Sequence, residues 1–180
     1  MHAKKNAQLH GVFIKIFNIG VMLYGESGIG KSELALEFIK HGHSLIADDI
    51  IHFTKDGNKI IGSALKLNKN LLVINDIGII DVRSLFGKQA TISSCVLNLI
   101  INLEAKTKRK IDFPEQYSYT KILHQQICTL TLHINNLRNL YTLVEIAIKV
   151  YKLKVEHNYD AQERFFHKQQ SELMHGNNRS

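Results

Sequence analysis

Cysteine is scarce in this chain: Cys95 and Cys128 are the two among 180 residues, and neither sits in a CxxC or zinc-like spacing. A disulfide-dense secreted scaffold is therefore excluded, and two core thiols in a reducing compartment are expected. A single proline, Pro114, with 11 glycines rules out low-complexity and collagen-like chains. Long hydrophobic runs are missing too. The longest, Cys95 to Leu103, contains Asn98 and Asn102 and falls well short of the roughly 20 apolar residues that span a bilayer. Lys4 and Lys5 are followed by polar Asn6, Gln8 and His10, which leaves no apolar signal core. A cytoplasmic protein with no membrane association is expected.

Net charge is +7 and the isoelectric point is near 9.4. Such a balance suits nucleic acid, an acidic protein or a polyphosphate site. The basic residues are scattered, except for Lys106, Lys108, Arg109 and Lys110, read as a solvated loop. Aromatic and basic residues are not interleaved, so no nucleic-acid partner is expected.

With 44% hydrophobic residues the chain can fill one core. Val12–Phe17 and Gly20–Tyr24 read as short strands around a turn at 18–20, and Ser32–His41 as a helix ending at Gly42. Ser44–Ala47 reads as a strand stopping at Asp48-Asp49. Ile50–Phe53 and Lys59–Ile61 form a hairpin around Asp56-Gly57-Asn58. Further strands are expected at Leu71–Ile74, near Gly78–Val82, within Thr91–Glu104 and over Ile122–Ile134. Asn139–Lys154 carries a broad apolar helical face. The fold class is α/β, with one central mixed sheet and flanking helices. Residues 1–155 are expected to form the catalytic domain, and 156–180 a C-terminal helix or tail that is partly disordered.

One motif carries chemistry. Gly25, Glu26, Ser27, Gly28, Ile29, Gly30, Lys31 and Ser32 match the P-loop pattern GxxxxGK followed by Ser or Thr, between an apolar strand and an amphipathic helix. Glycines let the backbone turn its N–H groups inward as an anion nest, and the following helix adds its positive end. Lys31 would reach the β- and γ-phosphates of ATP, and the Ser32 hydroxyl would take a Mg²⁺ position. Asp48 and Asp49 then close an apolar strand. One carboxylate can hold the metal's water shell while the other removes a proton from an attacking hydroxyl. No guanine-reading NKxD pattern is present.

His10-Gly11-Val12, the run from Gly25 to Asp49, and Gly78 to Gly87 together resemble the catalytic domain of bacterial HPr kinase/phosphorylase, as does the segment Arg138-Asn139-Leu140 with Leu143 to Ala147. The resemblance reaches to about Lys154 and lacks that family's separate N-terminal domain. It implies a P-loop kinase that phosphorylates a serine of the phosphocarrier HPr in carbohydrate regulation, and that reverses the reaction by phosphorolysis. It further implies ATP and Mg²⁺ as cofactors, and a hexameric assembly. By the same resemblance His10 and Lys31 are active-site residues, Ser32 binds metal, Asp49 is the general base and Asp48 its electrostatic partner. Two adjacent carboxylates imply a raised pKa for one of them.

The departures matter equally. The family signature opens with a Glu and an Arg two residues apart, ahead of a Gly; Val73, Asn75 and Asp76 stand at those places. Asp76 could restore the metal-binding carboxylate only if the strand turned at Asn75, because positions 73 and 76 of a regular strand face opposite sides. Asn135, Asn136 and Leu137 replace a usual Arg-Pro-Gly, and the loop arginine tied to phosphorolysis aligns near Phe113. Kinase activity is expected to be weakened and phosphorolysis to suffer first. Two other readings stay open: a P-loop kinase for another substrate, and an ATP-binding sensor of low catalytic power. Lys31, Ser32 and the Asp pair favour an enzyme; Val73 and Asn75 favour the sensor.

Overall fold

The computed structural model describes residues 6–105, 117–134, 139–160, 163–165, 168 and 171. Among these residues ten strands run in chain order: β1 (Asn6–Ile16), β2 (Ile19–Gly25), β3 (Ser44–Asp56), β4 (Lys59–Ala64), β5 (Leu71–Ile74), β6 (Gly78–Asp81), β7 (Ser94–Val96), β8 (Leu99–Ala105), β9 (Tyr117–Ile122) and β10 (Gln125–Ile134). Helices α1 (Lys31–Lys40), α2 (Val82–Phe86) and α3 (Leu140–His157) accompany them. The chain divides into two compact units, Met1–Val144 and Glu145–Ser180.

In the first unit, eight strands form one mixed sheet in the order β7-β4-β3-β1-β2-β8-β10-β9. β2, β8 and β10 run parallel, and the remaining pairs are antiparallel. Val12, Phe13, Ile14, Val21, Met22 and Leu23 are all fully buried. Consecutive residues point to opposite faces of a strand, so both faces of β1 and β2 are covered. Phe13 meets Phe53 edge to face at 5.8 Å, within an apolar cluster that includes Met22, Ile60 and Ile100.

Helix α1 buries Leu34, Ala35, Phe38 and Ile39 and packs on β1, β2 and β3. It ends where a glycine was expected to end it. Gly42, at φ 86°, donates to Ile39 O, and His43 N donates to Phe38 O. That pair of bonds satisfies two carbonyls the helix leaves free, and it requires the left-handed backbone glycine adopts without strain.

The second unit carries the helical residues from Glu145 onward. Its exposed face is laced by ion pairs, Lys149 to Glu145 at 2.6 Å and Lys154 to Asp160 at 2.8 Å.

Several expectations need correction. β3 does not stop at Asp48-Asp49 but runs on to Asp56, because β1 lies antiparallel along it and pairs Gly11 with Asp49 and Val12 with Asp48. The carboxylates are therefore mid-strand. The first strand likewise begins at Asn6 rather than Val12, which puts His10 inside β1. The first turn is Phe17-Asn18, both with positive φ, and Ile122–Ile134 is interrupted by a similar turn at Leu123-His124. Two positive φ values give the backbone twist of a tight hairpin; Leu and His are not residues that announce it. Thr91–Glu104 is broken into β7 and β8. The sheet is not alone, since β5 and β6 form a separate two-stranded ribbon. Neither Cys95 nor Cys128 is in a disulfide; both are half-buried rather than fully buried, with Cys95 packed against the apolar cluster. The basic cluster at 106–110, Phe113, Asn135, Asn136, Leu137, Arg138 and most of the tail lie outside the described residues.

Candidate active site

The P-loop joins β2 to α1, and its geometry follows from three glycines. Gly25 has φ 143°, and a Cβ there would lie 2.5 Å from the carbonyl oxygen of Leu103 on β8. Gly28 and Gly30 have φ 77° and 94°, with open space beside them. Gly30 caps α1 with its main chain: its carbonyl accepts from Leu34 N at 2.9 Å. By helix geometry the first-turn amides of Lys31, Ser32 and Glu33 have no partner inside the helix and are available as anion donors. Lys31 Nζ donates to Gly25 O at 2.9 Å and Glu26 O at 2.7 Å, which leaves its third proton for a phosphate oxygen.

A cleft of about 610 Å³ opens over this loop. Gly25, Ser27, Gly28, Gly30, Lys31 and Ser32 line one side; His10, Asp48 and Asp49 line another; Tyr24, Val73 and Asn75 complete the wall. Residues from β1, β2, β3 and β5 thus converge with the loop. Of the P-loop residues expected to bind nucleotide, Glu26 and Ile29 do not line the cleft. The Glu26 carbonyl contributes instead by holding Lys31.

Consecutive strand residues should face opposite ways, yet Asp48 and Asp49 both reach the cleft. Asp49 explains it. Its φ of 70° is left-handed, which breaks the pleat at that residue. Left-handed backbone is uncommon for residues other than Gly, although Asp tolerates it better than most, and non-Gly residues held there concentrate at functional sites.

The two carboxylates are held differently. Asp48 is 6% exposed and accepts from Val73 N at 2.9 Å and Ser32 Oγ at 3.2 Å. Burial pushes its pKa above the ordinary aspartate value, and the bonds from Val73, its own neighbour Asp49 and Ser32 pull part of that back. The charge of Asp49 is the smallest contribution, so burial rather than adjacency raises the acid. Asp49 is open to solvent, and its Oδ1 lies 3.3 Å from His10 Nδ1.

The β5–β6 ribbon supplies what sequence reading missed. The Val73 side chain cannot bind metal; its main-chain N–H is what grips Asp48. The turn at 75–77 that Asp76 requires is present, with Asp76 at φ 66° and Ile77 N bonded to Ile74 O. Asp76 nevertheless stands outside the cleft lining, while Asn75 is within it. Below the ribbon, Asp81 caps α2 by accepting from Ser84 N at 3.0 Å, which holds its pKa below the usual range.

Among the described residues no group of three or more His, Cys, Asp or Glu side chains is placed to enclose a metal. Ser32 and Asp48 offer a hydroxyl and a carboxylate side by side. That donor set fits Mg²⁺, which binds through one or two protein oxygens and completes its shell with water and substrate phosphates.

Residues 2–169 match the family model of the HPr serine kinase C-terminal domain. The chain is 40% identical over 149 residues to the HPr kinase/phosphorylase of an Exiguobacterium species, covering 81% of this chain and 48% of that protein. It is 37% identical over 151 residues to the HPr kinase/phosphorylase of Bacillus subtilis, again covering 81% and 48%. The chain thus spans about half the length of the curated relatives it matches. The structure of the HPr(Ser) kinase/phosphatase from Coxiella burnetii superposes with a TM-score of 0.80 at 34% identity, covering 88% of this chain and 98% of that one.

Proposed function

The chain belongs to the family of HPr serine kinase C-terminal domains, and from that membership we propose that it is an ATP-dependent serine kinase acting on the phosphocarrier HPr. The observation that carries the reading is the pairing of an exposed, left-handed Asp49 with His10 beside an intact P-loop. Among generic nucleotide sites, a P-loop alone does not specify phosphoryl transfer.

The chemistry follows from the side chains. Asp49 removes the proton of a serine hydroxyl, and the freed oxygen attacks the γ-phosphorus of ATP. The bond to the β–γ bridging oxygen breaks, and ADP leaves. His10 orients the Asp49 carboxylate. Lys31 and the amides of the loop hold phosphate charge as it shifts. Ser32 and Asp48 would hold Mg²⁺, which supplies charge neutralisation at the phosphates when bound. In reverse, Asp49 returns its proton to the serine oxygen while inorganic phosphate attacks the serine phosphate, giving pyrophosphate. Asn75 brings no positive charge to that second anion and Val73 no metal-holding carboxylate, so phosphorolysis is the weaker direction.

Two assignments belong to the same proposal. Residues 1–155 act as the catalytic domain, with 156–180 appended to it. The chain works as an oligomer; Ile146, Val150 and Leu153 are exposed on α3 at spacings of four and three, an apolar stripe suited to a second copy.

Labelled ATP, Mg²⁺ and HPr incubated with the protein test the reading. Label should pass to HPr serine, and Asp49→Ala should abolish transfer while still binding ATP. Nucleotide binding with no transfer by the unaltered protein would instead establish the sensor.

A further inference from the structure

The catalytic groups occupy one side of the P-loop strand only. His10 lies on β1 and Asp48 and Asp49 on β3, whereas β8 and β10 lie on the other side of β2. A nucleotide whose transferred phosphate points at Asp49 has room to extend its opposite end away from β1 and β3, toward β8. The ends of parallel strands are where open α/β sheets receive ligands, and β2, β8 and β10 are the parallel strands here. The loop is also pressed against β8, since Gly25 admits no Cβ beside Leu103 O.

What stands there is polar and aromatic. Tyr24 pairs in register with Asn102, and Glu104 pairs with His133. Paired residues share a face, and Asn102 and Glu104, two apart on β8, share it as well. The four side chains therefore make one strip across three strands. Tyr24 lines the cleft and is 50% exposed, although Val21, Met22 and Leu23 before it on the same central strand are at most 1% exposed. Core packing does not account for that ring. Glu104 Oε1 accepts from Asn102 Nδ2 at 2.8 Å, and its Oε2 lies 3.6 Å from His133 Nδ1, so the carboxylate is held in place with lone pairs still open to solvent.

We propose that this strip receives the nucleoside end of ATP, with the Tyr24 ring as the platform for the base and Glu104 as the acceptor for the ribose hydroxyls. An aromatic face takes any base by stacking, and a fixed carboxylate suits a vicinal diol. The proposal rests on the nucleotide-binding part of the reading above and is independent of the phosphate acceptor.

Calorimetric titration with Mg·ATP and with Mg·tripolyphosphate, which has no nucleoside, tests it without HPr. Tyr24→Ala should weaken ATP about tenfold, the scale of one lost base stack, and leave tripolyphosphate unchanged. Tyr24→Phe should bind ATP as the unaltered protein does. Glu104→Gln should weaken ATP but not its 2′,3′-dideoxy analogue. Unchanged ATP affinity in Tyr24→Ala, or equal loss for both ligands, overturns the platform. An unaltered protein that binds neither ligand overturns both the strip and the P-loop reading. Binding of both without transfer to HPr removes only the choice of acceptor.

Discussion

Replacing Asp48 by Asn should separate stability from catalysis. Asp48 is nearly fully buried, and burial raises its pKa above the unfolded value of 3.8. Below that value the group is protonated in both states and contributes nothing to pH dependence. As pH rises, the unfolded chain releases its proton first, so stability declines until the folded-state pKa is passed and then levels off. The penalty at neutral pH is about 1.4 kcal/mol for each tenfold loss of acidity on folding. Asn has the same shape and never ionises. Its oxygen can accept from Val73 N–H, and its amide can donate to Ser32 Oγ, so both bonds survive. Asp48→Ala differs: it leaves the Val73 N–H without its partner, at a cost of about 1–3 kcal/mol. Urea unfolding followed by circular dichroism from acid to neutral pH, without nucleotide or divalent metal, reads the difference. Asp48→Asn should match the parent in acid and exceed it at neutrality, with a flatter profile, while phosphoryl transfer falls. An Asn variant as unstable at neutral pH as the Ala variant, or one whose stability keeps the parent's slope, refutes the argument.

Gly25→Ala should distort the P-loop, since its Cβ would meet Leu103 O at 2.5 Å at a φ of 143°; a loss of about 1–3 kcal/mol in thermal unfolding and a collapse of ATP affinity are expected together. His10→Asn should lower the transfer rate by about 10²-fold, the usual weight of a group assisting proton transfer. With its side chain 78% exposed, His10 should leave melting temperature and ATP affinity almost untouched. Restoring charge at the ribbon with Val73→Glu and Asn75→Arg together should raise phosphorolysis of serine-phosphorylated HPr by about tenfold or more, and the forward reaction by less, in paired rate assays; equal gains in both directions would contradict the account of the weaker reverse reaction.

The P-loop was legible because its function is local. Glycine spacing, the strand before and the helix after predict an anion nest within eight consecutive residues, and Gly25, Gly28, Gly30, Lys31 and Ser32 do line one cleft, with positive φ at all three glycines. The α1 boundary at Gly42 was legible for a similar reason, since helix termination is decided by one residue's backbone freedom. The turns at Phe17-Asn18 and Leu123-His124 were less so, because strand pairing forces positive φ on residues that do not ordinarily seek it.

The division of labour between Asp48 and Asp49 was another matter. The sequence shows two adjacent carboxylates and cannot say which is buried. The antiparallel pairing of β1 with β3 and the left-handed Asp49 send one acid into the protein, where desolvation raises its pKa, and the other to solvent beside His10. The ribbon adds a contact no side-chain alphabet encodes, the Val73 amide on Asp48. Residue identity determined the glycine-rich loop and its lysine; only the assembled strands decided which carboxylate is buried and which one is open to solvent beside His10, because burial and backbone donors are properties of neighbours brought together by folding.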